Sequence, residues 1–406
     1  IIRTMLVYEA ETSGEYHELN TRLCRVDDCQ GNPLEIIYDT CDGTHAISIT
    51  PESWSTQDVP IAFLRHRHQK PQSLPERHEG CSIELLRPLL SEFKDDREWL
   101  VVMAYICSLY VPNIPKPLLC ISGDMGSGKT LTARRIVDLV ECSSLESGLP
   151  AIKNGQELMR LANKNACLFL DNLSNISTSF SDELCRISTG ASLAKRSLFT
   201  NDEDWICELC RPVIITGIPS TLIWREDLCD RALPLRVSRI SETKRKTQSE
   251  LDTEFAKLKP YLLGSVYNIL SKALKLLPSV KLEKLPRLAD WGRLCYALCE
   301  SMDGHTGQEF VEAYEFILNR QTELAIESSL VCQACRLLVS QTGKWSGTAS
   351  ELHMLKLVHE DYEHNSDYED RCQLVNDPDW PRTPATLGKQ LDRAKSTLES
   401  IGIKVD

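Results

Sequence analysis

The stretch "GDMGSGKT", Gly123 to Thr130, carries the residue types that hold a nucleotide's phosphates. Glycines at Gly123, Gly126 and Gly128 let backbone N–H groups turn inward around anionic oxygens, and Asp124, Met125 and Ser127 complete the loop. Lys129 supplies a point charge for the β- and γ-phosphates. Thr130 offers a hydroxyl to Mg2+ at the start of a helix whose N-terminal dipole also favours anions, and Leu131 follows it into that helix. The chemistry is ATP binding with Mg2+. The bland alternative is a Gly-rich turn. The strand-like "LLCIS" before it and the helix-like "LTARRIVDLV" after it favour the phosphate loop.

A second group lies in "NACLFLDNLSN", an apolar strand that ends on Asp171. In phosphate-loop folds an Asp at the carboxyl end of a neighbouring strand holds the metal, so Thr130 and Asp171 are the expected Mg2+ pair. The alternative is a plain strand terminus. Asn172 stands where many ATPases place a second carboxylate. An amide takes up no proton, so Asn172 is excluded as general base but can orient a water. Asp182 and Glu183, on the next helical segment, are alternative proton acceptors.

Elements must position these groups. "KPLLCIS", "ACLFLDN" and "RPVIITGIP" are continuous apolar strands separated by helical stretches, the pattern of an α/β core with a parallel sheet covered on both faces. This core is expected over 116–240. Residues 1–80 alternate short β-type runs with turns. "LEIIYDT" and "HAISIT" flank "CDG", and Gln69–Gly80 reads as a linker. Residues 81–115 read as two helices around a polar connector, and 241–330 as a helical lid. In 331–406, Thr348 and Thr383 are helix caps, Pro384 sits at a first helical position, and "IGIKVD" reads as a strand. Helices followed by a strand suggest a winged-helix module.

Bulk properties narrow the class. The net charge of −12 argues against a uniformly basic nucleic-acid coat, though not against a few cations in a channel. No run of eighteen apolar residues is present, so no membrane partner is expected. The start "IIRTML" does not begin with Met and has no signal-type run; we expect a piece of a longer, cytoplasmic protein. Seventeen cysteines in such a setting read as free thiols. Cys207/Cys210 and Cys332/Cys335 read as small buried hydrophobes rather than zinc ligands, because neither pair has a His at ligand spacing.

The ordered array "GDMGSGKT", "LDN", "ISTG…KRSLFT", "RPVIITGIP", "DLCDRA", "LPRLADW" and "WSGTASEL…WPRTPATLGKQL" resembles the ATPases of phage and mobile-element replication proteins. These are superfamily 3 and MCM-like AAA+ helicases, often linked to a primase. The resemblance spans about residue 30 to 406. It implies that Thr216 occupies the sensor-1 position, usually Asn, with a shorter reach. It implies that Arg231 is an arginine finger for the next subunit's nucleotide, with Arg225 as runner-up, and that Arg287 is a sensor-2 candidate. The physical case for a finger is that guanidinium neutralises charge spread over a transferring phosphoryl group. The alternatives are a helix-capping Arg and a structural ion pair. Such helicases also insert a β-hairpin into a central channel. "SLAKRSLFTNDEDWICEL" fits one, with Lys195 and Arg196 near an acidic tip and therefore either DNA grips or a solvated strand face. Lys389 and Arg393, with Arg382 and Lys395, either enter a DNA groove or form an amphipathic exterior.

The first functional expectation is therefore an ATP-driven DNA helicase of a mobile element in a bacterial or virus-infected cell. It would act as a homo-oligomeric, hexameric ring on single-stranded or forked DNA, with a primase domain or partner upstream. The alternatives are an initiator or helicase-loader switch without sustained unwinding, and an ATPase scaffold with a protein target.

Overall fold

The structure is a computed structural model. It describes residues 5, 9, 12, 13 and 19–405, apart from 61–62, 79, 91–92, 94, 145–151, 153, 174–176, 197–203, 218–227, 229–230, 240–245, 355–376 and 378–379. The chain divides into two compact units, residues 1–222 with 230–314, and residues 223–229 with 315–406.

In the first unit, strands β1 (Leu23–Asp27), β2 (Pro33–Asp39), β3 (His45–Ile49) and β4 (Trp54–Asp58) form an antiparallel sheet in sequence order. The hairpin expected around "CDG" is the β2–β3 pair. A 3-10 helix, Ile83–Leu89, precedes α1 (Asp96–Ser108). The first of the two helices expected here is thus 3-10, with Pro88 inside it; proline has no N–H for an α-helical bond. Buried α1 presents nearly every side chain to the interior.

The parallel sheet follows: β5 (Leu118–Ser122), α2 (Lys129–Val140), α3 (Gly155–Ala162), β6 (Leu168–Leu170), α4 (Thr178–Thr189), β7 (Ala191–Arg196), β8 (Asp204–Leu209), β9 (Val213–Gly217) and β10 (Ala232–Arg236). Its order is β10-β5-β9-β6, all parallel, while β7 and β8 stand apart as an antiparallel pair. Side chains of β9 are buried throughout, as a sheet covered on both faces requires. Helices α5 (Gln248–Leu276) and α6 (Ala289–Glu300) complete this unit, and α7 (Gly307–Ser328) begins in it. A capping box at Thr247 and Glu250 starts α5.

The antiparallel sheet is held to the end of α2 by buried polar bonds. Arg22, 1% exposed, donates to Glu141 Oε1 at 3.1 Å, Tyr38 Oη at 3.0 Å and the carbonyls of Lys70 and Cys142. Tyr38 Oη donates to the Val140 carbonyl at 3.0 Å. Gln69–Gly80, read from composition as a linker, is tied to the fold at Gln72 and Glu76 as a strap. Gln72 is 5% exposed and donates to Leu139 O at 2.8 Å, and Glu76 N–H donates to Pro260 O of α5 at 3.0 Å.

The second unit contains α8 (Leu330–Thr342), α9 (Ala349–Met354) and α10 (Pro384–Ser400). Cys332 and Cys335 lie in its core with Ile326, Val331, Trp380, Leu387, Ala394 and Leu398. Thr348 and Thr383 cap α9 and α10 as expected. "IGIKVD" departs from the expected strand. Ile401 and Gly402 form a turn, and Ile403 and Val405 pack on the core without a ladder partner among the described residues.

Candidate nucleotide site

Strand β5 ends at Ser122 and the chain turns through the glycine loop into α2. Gly126 and Gly128 both have φ +76°, which L side chains rarely adopt. A Cβ on Gly123 would lie 2.6 Å from Ser127 Oγ and 2.8 Å from the Val237 carbonyl, so the loop closes only with glycine there. Lys129 Nζ donates to the carbonyls of Gly123 at 3.1 Å and Asp124 at 3.3 Å, which holds the ammonium across the loop. Met125 is 88% exposed.

Asp171 follows β6, and Thr216 lies in the neighbouring strand β9. Parallel pairing of Leu170 with Ile215 sets the next two residues side by side at the carboxyl end of the sheet. Thr130 Oγ1 donates to Asp171 Oδ1 at 3.0 Å, and Thr216 Oγ1 also donates to Asp171 Oδ1. Thr216 Oγ1 in turn accepts from the Asn172 N–H at 2.9 Å, and the Leu173 N–H donates to the Thr216 carbonyl at 3.0 Å. Thr216 is fully buried. Asn172 has φ +52°, a left-handed conformation that Asn tolerates better than most residues.

This constellation fits a nucleotide and its metal. Gly126 and Gly128 take the left-handed backbone that lets a loop wrap an anion, Lys129 lies across the loop, and Thr130 and Asp171 present adjacent hard oxygens. Gly123–Thr130 would hold the phosphates, and Thr130 with Asp171 the Mg2+. The ion would neutralise charge on the phosphate oxygens.

Residues 83–323 match the family model of the actinomycete integrative conjugative element replication protein, and 331–406 match the RepA C-terminal domain of the same elements. The chain belongs to this family. No curated protein is a significant match. Similar solved structures include the apo C-terminal region (305–718) of NrS-1, at 12% identity and TM-score 0.39, covering 77% of this chain and 66% of that one. Another is JCV helicase with a bound phenoxyphenyl acetamide, at 12% identity and TM-score 0.29, covering 64% of each chain. This chain thus spans slightly less than two thirds of either neighbour's length.

The remaining expected residues of this replication protein fall elsewhere. Arg231 precedes β10, and its carbonyl accepts from Leu118 N–H at the start of β5. The register Ala232–Leu118 to Arg236–Ser122 therefore places Arg231 at the amino end of the sheet, roughly 16 Å along the strands from the phosphate loop at ~3.3 Å per residue. Arg225 lies outside the described residues. Arg287 is exposed at the bend before α6 and takes no part in the bonds around Asp171. Glu183 packs against Gly155 of α3 and pairs with Arg186 at 2.9 Å, and Asp182 is exposed on the same helix. The β7–β8 hairpin exists, with Lys195 opposite Trp205 and Arg196 opposite Asp204 at its distal end; the tip from 197 to 203 is outside the described residues. Lys389, Arg393, Arg382 and Lys395 are exposed, and α10 buries Leu387, Ala394 and Leu398 on its other side.

Sequence reasoning missed the bonds of Thr216. A hydroxyl residue at the end of an apolar strand neighbouring Asp171 was the available signal. The bond itself depends on which strand lies next to β6.

Proposed function

We propose that this chain is the ATPase of its replication protein: a DNA helicase or translocase that moves on single-stranded DNA as a ring, hydrolysing ATP between subunits. The observation that carries the reading is the convergence of Thr130, Thr216 and Asp171 beside a lysine-bearing glycine loop at the carboxyl end of a parallel sheet. Lys129, Thr130 and Asp171 would form one side of each site, and Arg231 of a neighbouring subunit the other. The distance of Arg231 from its own loop supports a role in trans over one in cis. In this reading Arg287 is a sensor in the 241–330 lid, residues 1–80 form a collar, the β7–β8 hairpin carries Lys195 and Arg196 toward DNA, and 331–406 is a winged-helix-type DNA module.

The test pairs steady-state ATP turnover, with and without single-stranded DNA, with strand displacement on a forked duplex. DNA-stimulated turnover with displacement is expected. A second reading, an ATP-dependent initiator or loader switch, draws on Asn172, which lacks the proton-accepting capacity of a second carboxylate. Stimulated turnover without displacement would favour it, and turnover indifferent to DNA would sink both.

A further inference from the structure

Between Asp58 and Glu76 the chain has no carboxylate side chain, although Asp and Glu number 58 of 406 residues overall. Into this acid-free stretch fall Arg65, His66, Arg67, His68 and Lys70. The fold gathers them rather than dispersing them. Ser144 N–H donates to His68 O at 2.8 Å, Lys70 N–H to Cys142 O at 2.9 Å, and Gln69 bridges to Ser143, so the segment lies as a short antiparallel strap beside the end of α2. His68 Nε2 meets Asn165 Oδ1 at 2.9 Å, which fixes the strap against the turn Asn163–Asn165 before β6 and brings Lys164 to it.

The charges on this surface differ in their surroundings, and Lys70 is exposed at the end of the strap. Arg65 is bound bidentately by the buried Asp39, at 2.7 and 2.8 Å, and its charge is neutralised there. Arg67 is exposed and Lys164 half-buried, and neither has an ion-pair partner among the described residues. The rings of His66 and His68 stack in parallel, 5.9 Å between centroids and 8° between planes. His66 Nε2 is buried with no hydrogen-bond partner among the described residues. Burial first, and then His68 and Lys164 nearby, pull the His66 pKa below its ordinary value, which agrees with a surface where positive charge accumulates.

We infer that Arg67, Lys70 and Lys164, around the stacked His66 and His68, form a contact surface for single-stranded DNA separate from the hairpin and from α10. Cations carried on one short strap and the turn bonded to it suit backbone phosphates, and flat imidazole faces suit unpaired bases. The choice of DNA over another polyanion rests on the proposed function. The acidic surface of a second copy of this chain is the competing occupant.

The experiment uses the full chain, a fluorescent oligo(dT) strand, and anisotropy at several salt concentrations. Arg67→Gln/Lys70→Gln/Lys164→Gln is expected to weaken binding about tenfold or more and to reduce the salt slope by about 2, at ~0.7 per lost single-strand phosphate contact. Its thermal midpoint and its assembly state by light scattering should match wild type. The charge-reversed triple variant should bind weaker still. Wild-type affinity and slope in both variants would overturn this surface while leaving the DNA reading intact. Altered assembly with unchanged DNA affinity would make it a subunit contact instead. A wild-type chain that does not bind oligo(dT) would overturn the DNA-acting reading and this surface together.

Discussion

Thr216 has one hydroxyl and uses it within the candidate site: it donates to Asp171 and accepts from the Asn172 N–H. In the proposed function it is a positioning residue for the carboxylate that would hold the metal and for the left-handed turn at Asn172. Thr216→Val keeps the shape and removes both bonds. We expect kcat for ATP to fall roughly 10- to 100-fold, since ~1 Å misplacement of a catalytic group costs about that much. Nucleotide affinity should change little, and Thr216→Ser should restore most turnover; equal losses in the Ser and Val variants would refute the role. Lys116 makes a different prediction. It is buried and donates to the carbonyls of Val111 at 2.6 Å and Ile114 at 3.1 Å, and burial pulls its pKa down to about 8. The unfolded chain keeps this proton up to the ordinary lysine value of 10.5, so between those limits it binds more protons than the folded one. Stability from this group therefore rises with pH across that window, by up to about 3 kcal/mol. Chemical denaturation of Lys116→Met beside wild type should show the difference between them changing over pH 8 to 10.5 and levelling outside it.

At the scale of elements, close approach decides where sequence patterns stop informing. Gly264, in the middle of α5, looks in the sequence like a weak point of a helix. In the fold a Cβ there would lie 2.0 Å from the Glu76 carbonyl of the strap, backbone that cannot swing aside. Gly264→Ala should therefore destabilise the unit by about 1–3 kcal/mol through overpacking, although alanine is the better helix former, and a thermal melt gives the sign directly. Much of what was legible follows from local physics: the glycine loop, the caps at Thr348 and Thr383 and the buried strands are each set by neighbours in sequence. The hairpin β7–β8 was legible through the family resemblance, on a stretch that fits two strands. The strap and the Arg22–Glu141 pair were not legible, because their partners lie far along the chain and nothing in "QKPQSLPERHEG" marks Gln72 as buried. The C-terminal strand failed for a related reason. Ile401, Ile403 and Val405 have β-type spacing, but their burial comes from packing on helices, which alternation alone does not distinguish from sheet pairing.

At the scale of the whole molecule, the sheet has two ends with different equipment. The glycine loop, Thr130, Asp171 and Thr216 are at the carboxyl end and Arg231 is at the amino end. Arg231→Ala should lower turnover of the assembled protein by about 10³-fold or more if it serves as the finger. A mixing assay locates it. Arg231→Ala and Lys129→Ala proteins, each inactive alone, should recover part of the wild-type ATPase when combined, because some interfaces then join an intact loop to an intact arginine. No recovery would remove the assignment. The same separation has an arithmetic consequence. Subunits that join one end to the other form a head-to-tail series, not a two-fold pair. An open series of n subunits holds one fewer complete site than it has subunits, and only closure makes the two numbers equal. Turnover per subunit should then fall steeply on dilution, while nucleotide binding, which needs one subunit's loop alone, declines much less.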